Sequence, residues 1–253
     1  MCMFTDTVHD VSSTVIFARP MDNGRQALVY SMALTISTDV AMVLPLPVPR
    51  GSAEQAVRFI DLSAYPKFFD DMNRAFSWGS FGVESPLLVH DVGSFEASFV
   101  PTRHDFFRLD ARFRLSDDVW QALSGYDDWG FAVFKLRSMP RVMTVHPIAL
   151  EFPRRNPDEL FFPTVHVHDG HFEPRAKFHH LLFCQDVDST RRDRWNRSFQ
   201  FEFPDDPFFW WTTSPWKLGR VFAADAPPGI VRADLGFHCV HIVGAYPNVD
   251  VVL

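Results

Sequence analysis

The chain has 253 residues, of which 47% are hydrophobic and 22% charged, and its formal net charge is −7 at pH 7. A globular chain of this size buries roughly three-quarters of its unfolded surface, so it needs no staples, and the composition excludes intrinsic disorder. The acidic balance argues against nucleic acid as the main partner; the densest basic cluster, Arg191-Arg192-Asp193-Arg194, is interrupted by an acid and reads as a solvated turn.

Taken from the N-terminus, Met1-Cys2-Met3-Phe4-Thr5-Asp6 lacks the basic start and long apolar stretch of a secretion signal. Ser13 to Ala18 and Gln26 to Ser37 are strand-like and flank Asp22-Asn23-Gly24, whose Asn-Gly pair predicts a hairpin. Ala41 to Pro49 is apolar but short and rich in proline, so it cannot span a bilayer. Further strands are predicted over Ala41–Leu46, Val57–Leu62, Phe95–Val100, Phe106–Phe113, Phe131–Leu136, Val142–Phe152, Leu160–His168 and Val231–Val243. Several are apolar on both faces, as in strands buried between layers, and the 27 Phe and seven Trp suit pleated, packed surfaces.

Helix signals are few. Tyr65 to Phe76 carries Pro66 at its first position, and Ser116-Asp117-Asp118 before Val119–Leu123 reads as an N-cap with acids in the first turn and Gly125 as the stop. The expected fold is mainly β: antiparallel sheets packed as a sandwich or barrel with a few short peripheral helices, in a single domain over 1–253 with an alternative boundary near 137–141. Three cysteines (Cys2, Cys184, Cys239) are too few for a disulfide framework and predict free thiols in a reducing cytoplasm.

Phe161 to Glu173 carries the most chemistry. Asp169-Gly170 suits a two-residue hairpin loop, which would pair His168 with His171 and His166 with Glu173. Residues two apart on a strand share a face, so His166, His168, His171 and Glu173 would project together, about 5 Å apart across the strands. Three imidazoles and a carboxylate suit one transition metal ion, Zn, Fe, Mn or Ni. The alternative is a solvated polar hairpin. His179, His180 and Cys184 form a second cluster: on a strand His180, Leu182 and Cys184 share one face, His179 points the other way, and Cys184 reads as a buried, inert thiol. His146 before Pro147 reads as a strand-end residue satisfied by backbone.

His166-Val167-His168, four residues, then Glu173 resembles the first metal motif of the cupins. That resemblance implies a metal-holding β-barrel in which those three residues are ligands and a further histidine comes from a later strand. Pro227-Pro228-Gly229 is similar to the family's second motif, but Arg232 stands in the histidine's place, which leaves His238 or His241 as substitutes. Met1-Cys2 with Phe17 to Asp22 is similar to the opening of the bile salt hydrolase and penicillin V acylase group, which implies Cys2 as nucleophile with Arg19 and Asp22 lining the site; Pro20 stands where that family carries Asn. Cys2 to Phe4, Thr14 to Arg19 and Ala41 to Pro49 resemble bacterial proteins grouped only as domains of unknown function.

The chain has no Gly-rich phosphate loop, Gly-x-Ser-x-Gly elbow or Cys-x-x-Cys pair, so no nucleotide cofactor, membrane or nucleic-acid partner is expected. Three readings stand: a metal-binding β-domain with oxidoreductase or hydrolase activity, a non-catalytic binding or scaffold protein, and an N-terminal cysteine amidohydrolase using Cys2.

Overall fold

A computed structural model describes residues 3–76, 96–144, 147–203, 210–222 and 229–253. In chain order the strands are β1 (Met3–Phe4), β2 (His9–Pro20), β3 (Arg25–Ile36), β4 (Val40–Leu46), β5 (Arg58–Ile60), β6 (Glu96–Val100), β7 (Gly130–Leu136), β8 (Met139–Thr144), β9 (Ile148–Pro153), β10 (Phe161–Phe162), β11 (Arg175–Cys184), β12 (Thr212–Thr213), β13 (His238–Pro247) and β14 (Val251–Val252). The helices are α1 (Phe68–Arg74), α2 (Asp117–Ala122), α3 (Ser189–Glu202) and α4 (Leu218–Val221). Strand outweighs helix, as the sequence predicts, and the sheets do not close into a barrel.

The large sheet runs β12-β13-β11-β2-β3-β9-β5, with β8 pairing the far half of β3. Its β11–β2 neighbours are parallel and the other pairs antiparallel. The smaller sheet, β1-β4-β7-β6, is antiparallel throughout. Its strand β4 is buried at every residue. Val40, Met42 and Leu44 face the core between the two sheets, while Ala41 and Val43 face a second core under α2 and Trp120. A third apolar cluster lies on the far side of the large sheet, where Phe17 and Phe183 pack against Phe68 and Phe69 of α1 and Leu218 of α4. The inter-sheet core takes Leu136 from one side of residues 137–141 and Ile148 from the other.

The predicted hairpin is present: β2 and β3 pair with Ala18 opposite Leu28, and Gly24 sits at φ +75°. Ser116 caps α2, its Oγ accepting from the Val119 N–H. Four expectations need correction. Phe106–Phe113 is not a strand but two 3-10 turns, Arg103–Arg108 and Ala111–Phe113, because Asp110 accepts the Arg112 N–H and winds the chain locally. Val142–Phe152 is split into β8 and β9 ahead of Ile148, and Val231–Val243 is strand only from His238. Arg191 to Arg194 is not a turn: it lies in α3, whose Asp188 N-cap accepts from the Thr190 N–H. Leu160–His168 is a ladder only at Phe161–Phe162. His146, Phe95, Cys2 and Pro227-Pro228 lie outside the described residues.

Candidate functional site

The segment from Pro163 to Pro174 is extended but is not a hairpin. Gly170 does turn, at φ +78°, and Asp169 Oδ1 accepts the His171 N–H at 3.2 Å, yet no ladder joins the two sides. The backbone groups that a hairpin would use are already taken. Asn248 accepts the His166 N–H at 2.7 Å and donates to the carbonyls of His166 and Glu173 at 2.9 and 2.8 Å. Asp250 Oδ1 accepts the N–H groups of Thr164 and Val165 at 2.7 and 2.9 Å. On the other edge, the Phe4 N–H donates to the Val167 carbonyl and the Val8 N–H to that of His168, each at 2.8 Å. Competition for obligatory donors and acceptors is what overrides the turn signal.

The period-two alternation survives. Val165 and Val167 face the core under α2, with Phe172 packed against it. His166 and His168 face the opposite way, inward, where His166 packs on Phe178 of β11 with ring centres 4.5 Å apart. His166 and His168 rings lie 5.3 Å apart, and His180 of β11 lies 5.0 Å from His166. Phe4 of β1 covers His168 at 6.0 Å. The result is a histidine cluster in an aromatic surround, with His166 and His180 buried and His168 half-buried.

Burial dominates its electrostatics, since an imidazolium in an apolar pocket loses its hydration. Desolvation, with mutual repulsion between the rings, holds His166 and His180 far below the ordinary histidine range. Desolvation lowers His168 to about 4, against a smaller opposing pull from Asp169. All three are neutral at pH 7. The Nε2 atoms of His166 and His168 are buried without a hydrogen-bond partner. A buried polar atom left in that state costs about 1–3 kcal/mol, so its presence asks for a reason.

Of the four residues that the sequence groups as metal ligands, the structure brings together His166 and His168, whereas His171 and Glu173 are exposed. Two buried neutral imidazoles suit a metal ion; two exposed side chains add nothing to an enclosed shell. Among the described residues, no group of three or more His, Cys, Asp or Glu side chains is placed to hold a metal. His180, Asn248 and Asp250 complete the local architecture instead. His180 is legible from strand parity; the two Asx residues are not, because they act from more than eighty residues downstream.

The other candidates are placed elsewhere. Arg19 is buried, its Nε donating to the Ile230 carbonyl at 2.6 Å and its guanidinium also reaching the Gly229 carbonyl, while the side chain of Asp22 is 95% exposed. Arg232 pairs with Asp234, and His238 Nδ1 lies 2.9 Å from Thr213 Oγ1. Cys184 and Cys239 are buried free thiols, and desolvation pushes both pKa values up, which makes them inert.

No helix among the described residues is long and apolar enough to cross a membrane. No family model and no curated protein matches the sequence. Solved structures do match the fold. Baculovirus P35 superposes with a TM-score of 0.50 at 13% identity, covering 100% of this chain and 99% of that one. A mutated baculovirus P35 after caspase cleavage superposes with a TM-score of 0.51 at 11% identity, covering 96% of this chain and 99% of that one. At such identities the likeness is one of fold, and it runs the length of both chains.

Proposed function

We propose that the chain is a non-catalytic protein-binding protein whose partner is a protease of the caspase class. The observation that carries this reading is the end-to-end fold match to P35, a protein whose mutated form was captured after caspase cleavage. The match spans nearly the whole of each chain, rather than one shared layer, which favours reuse of a complete scaffold. The character of the histidine cluster agrees with it: the cluster is sealed among Phe4, Phe178 and His180 and offers little room for a substrate. The test is to incubate the purified full chain with a panel of active caspases, following peptide-substrate turnover, cleavage of the chain and co-elution on gel filtration. Cleavage at one position, with loss of protease activity or a co-eluting complex, is expected. Intact chain, unaffected proteases and separate elution across the panel would remove the proposal.

A metal ion at His166, His168, His171 and Glu173 is the competing proposal. Its support is the pair of buried, unpartnered Nε2 atoms of His166 and His168. Elemental analysis of tag-free protein decides it: a transition metal near one equivalent that is lost in His166→Ala/His168→Ala supports it, and metal-free protein that stays so after incubation with Zn, Mn or Fe(II) ends it.

A further inference from the structure

On β11 and β13 the register sets His179 opposite Val243 and Leu181 opposite His241. His179 and His241 are therefore diagonal neighbours on one face of the large sheet, the face opposite the buried histidine cluster. Their ring centres are 5.3 Å apart with the planes inclined at 55°. Two imidazoles that share one ion each place a nitrogen about 2.0–2.1 Å from it, which sets the ring centres about 3.2 Å from the ion and, at a tetrahedral angle, about 5.2 Å from each other. The observed spacing meets that requirement without movement of the backbone.

The surroundings suit a ligand pair. His179 is exposed and His241 half-buried, and among the described residues neither imidazole has a hydrogen-bond partner. Leu181, with Val15 beside it on β2, gives the pair a partly buried apolar floor. Desolvation and the neighbouring His179 lower the pKa of His241, so its lone pair is free at neutral pH. Lys177 shares the face but is exposed and long enough to turn its charge to water. The donor set contains no carboxylate, which excludes the hard cations Ca2+ and Mg2+ and selects late transition metals.

We propose that His179 and His241 form a two-imidazole binding site for one divalent late transition metal ion, Zn2+, Ni2+ or Cu2+, on this face of the large sheet. Two protein donors leave coordination positions to water, so the ion is exchangeable rather than structural. The site is independent of both readings above.

Zn2+ is the probe. EDTA-treated, tag-free full chain is titrated calorimetrically with Zn2+ beside His179→Ala, His241→Ala and His171→Ala, and the histidine ring signals are followed by NMR in the parent protein. One saturable site is expected, weakened at least about tenfold by either of the first two substitutions and unchanged by the third, with the His179 and His241 signals the first to shift. Absence of saturable binding, binding that both His179→Ala and His241→Ala retain within about threefold, or first shifts at other histidines would overturn the assignment.

Discussion

His179 and His180 are consecutive residues of one strand, and they occupy different media. His180 points into the core between the sheets, fully buried among His166 and Phe178. His179 points to the opposite face, exposed beside His241. Nothing in residue type separates them; the alternation of β11 does. On one side desolvation holds the imidazole neutral far below its ordinary range, and on the other the ring keeps contact with water and an available lone pair. Strand parity thus assigns one histidine to stability and its neighbour to surface chemistry.

Acid should expose this difference most strongly. The folded-state pKa values of His166, His168 and His180 are all depressed, so the unfolded chain binds protons first. Stability is then complete above the unfolded value and is lost as pH falls; for His168 the window runs from 6.5 down to about 4. Each buried histidine should contribute a loss on the order of 2 kcal/mol by pH 5, and together they rival the 5–15 kcal/mol stability of a typical domain. Asp250 acts in the opposite direction: burial raises its pKa, so the fold gains that proton first and offsets part of the loss. Denaturant unfolding at pH 7.5, 6 and 5 should show a fall of several kcal/mol, and His166→Leu/His168→Leu should flatten it. Equal midpoints across that range would show that the cluster hydrates freely.

The clamp on the histidine segment should rank next. Asn248→Ala strips one acceptor and two donor bonds and strands polar backbone groups of His166 and Glu173. A loss of about 2–4 kcal/mol is expected, with faster amide exchange confined to 164–174 and β1. Tyr126→Phe removes one 2.7 Å hydrogen bond to the buried Asp250 and should cost about 1–2 kcal/mol. If Asn248→Ala unfolds no earlier than the parent, the segment is held by its apolar face of Val165 and Val167 instead.

How much of this is legible beforehand depends on how local the cause is. The Asn23-Gly24 turn, the Ser116 cap and the two-faced burial of β4 each rest on residues a few positions apart, and each can be read directly. The parity of His179, His180 and Cys184 is equally local, and it places the buried and exposed faces of β11 correctly. The histidine segment fails that test: Asp169-Gly170 is a sound turn signal, but Asn248, Asp250 and β1 claim its backbone from distant parts of the chain. The helix α3 escapes notice because its face toward the core is carried by Trp195 and Phe199 amid charges, a thin stripe beside its conspicuous arginines. The whole-chain resemblance to P35 has no local signature at 11–13% identity; it is a property of the topology.

The smallest expected effect is the sharpest test of the two-face contrast. His179→Ala removes an exposed ring that hydrogen-bonds to nothing among the described residues, so its cost should stay within about 0.5 kcal/mol. The neighbouring His180→Ala opens a cavity against His166 and Phe178, and a buried large-to-small change of this kind costs about 2–4 kcal/mol. Both substitutions alter the same strand by adjacent steps, so differences in β propensity cancel between them and burial is left as the main variable. Urea unfolding of the two variants at pH 7.5 measures the contrast directly. Were His179→Ala to cost as much as His180→Ala, the open face of β11 would have to be covered in solution, and the zinc titration of that face would fail with it.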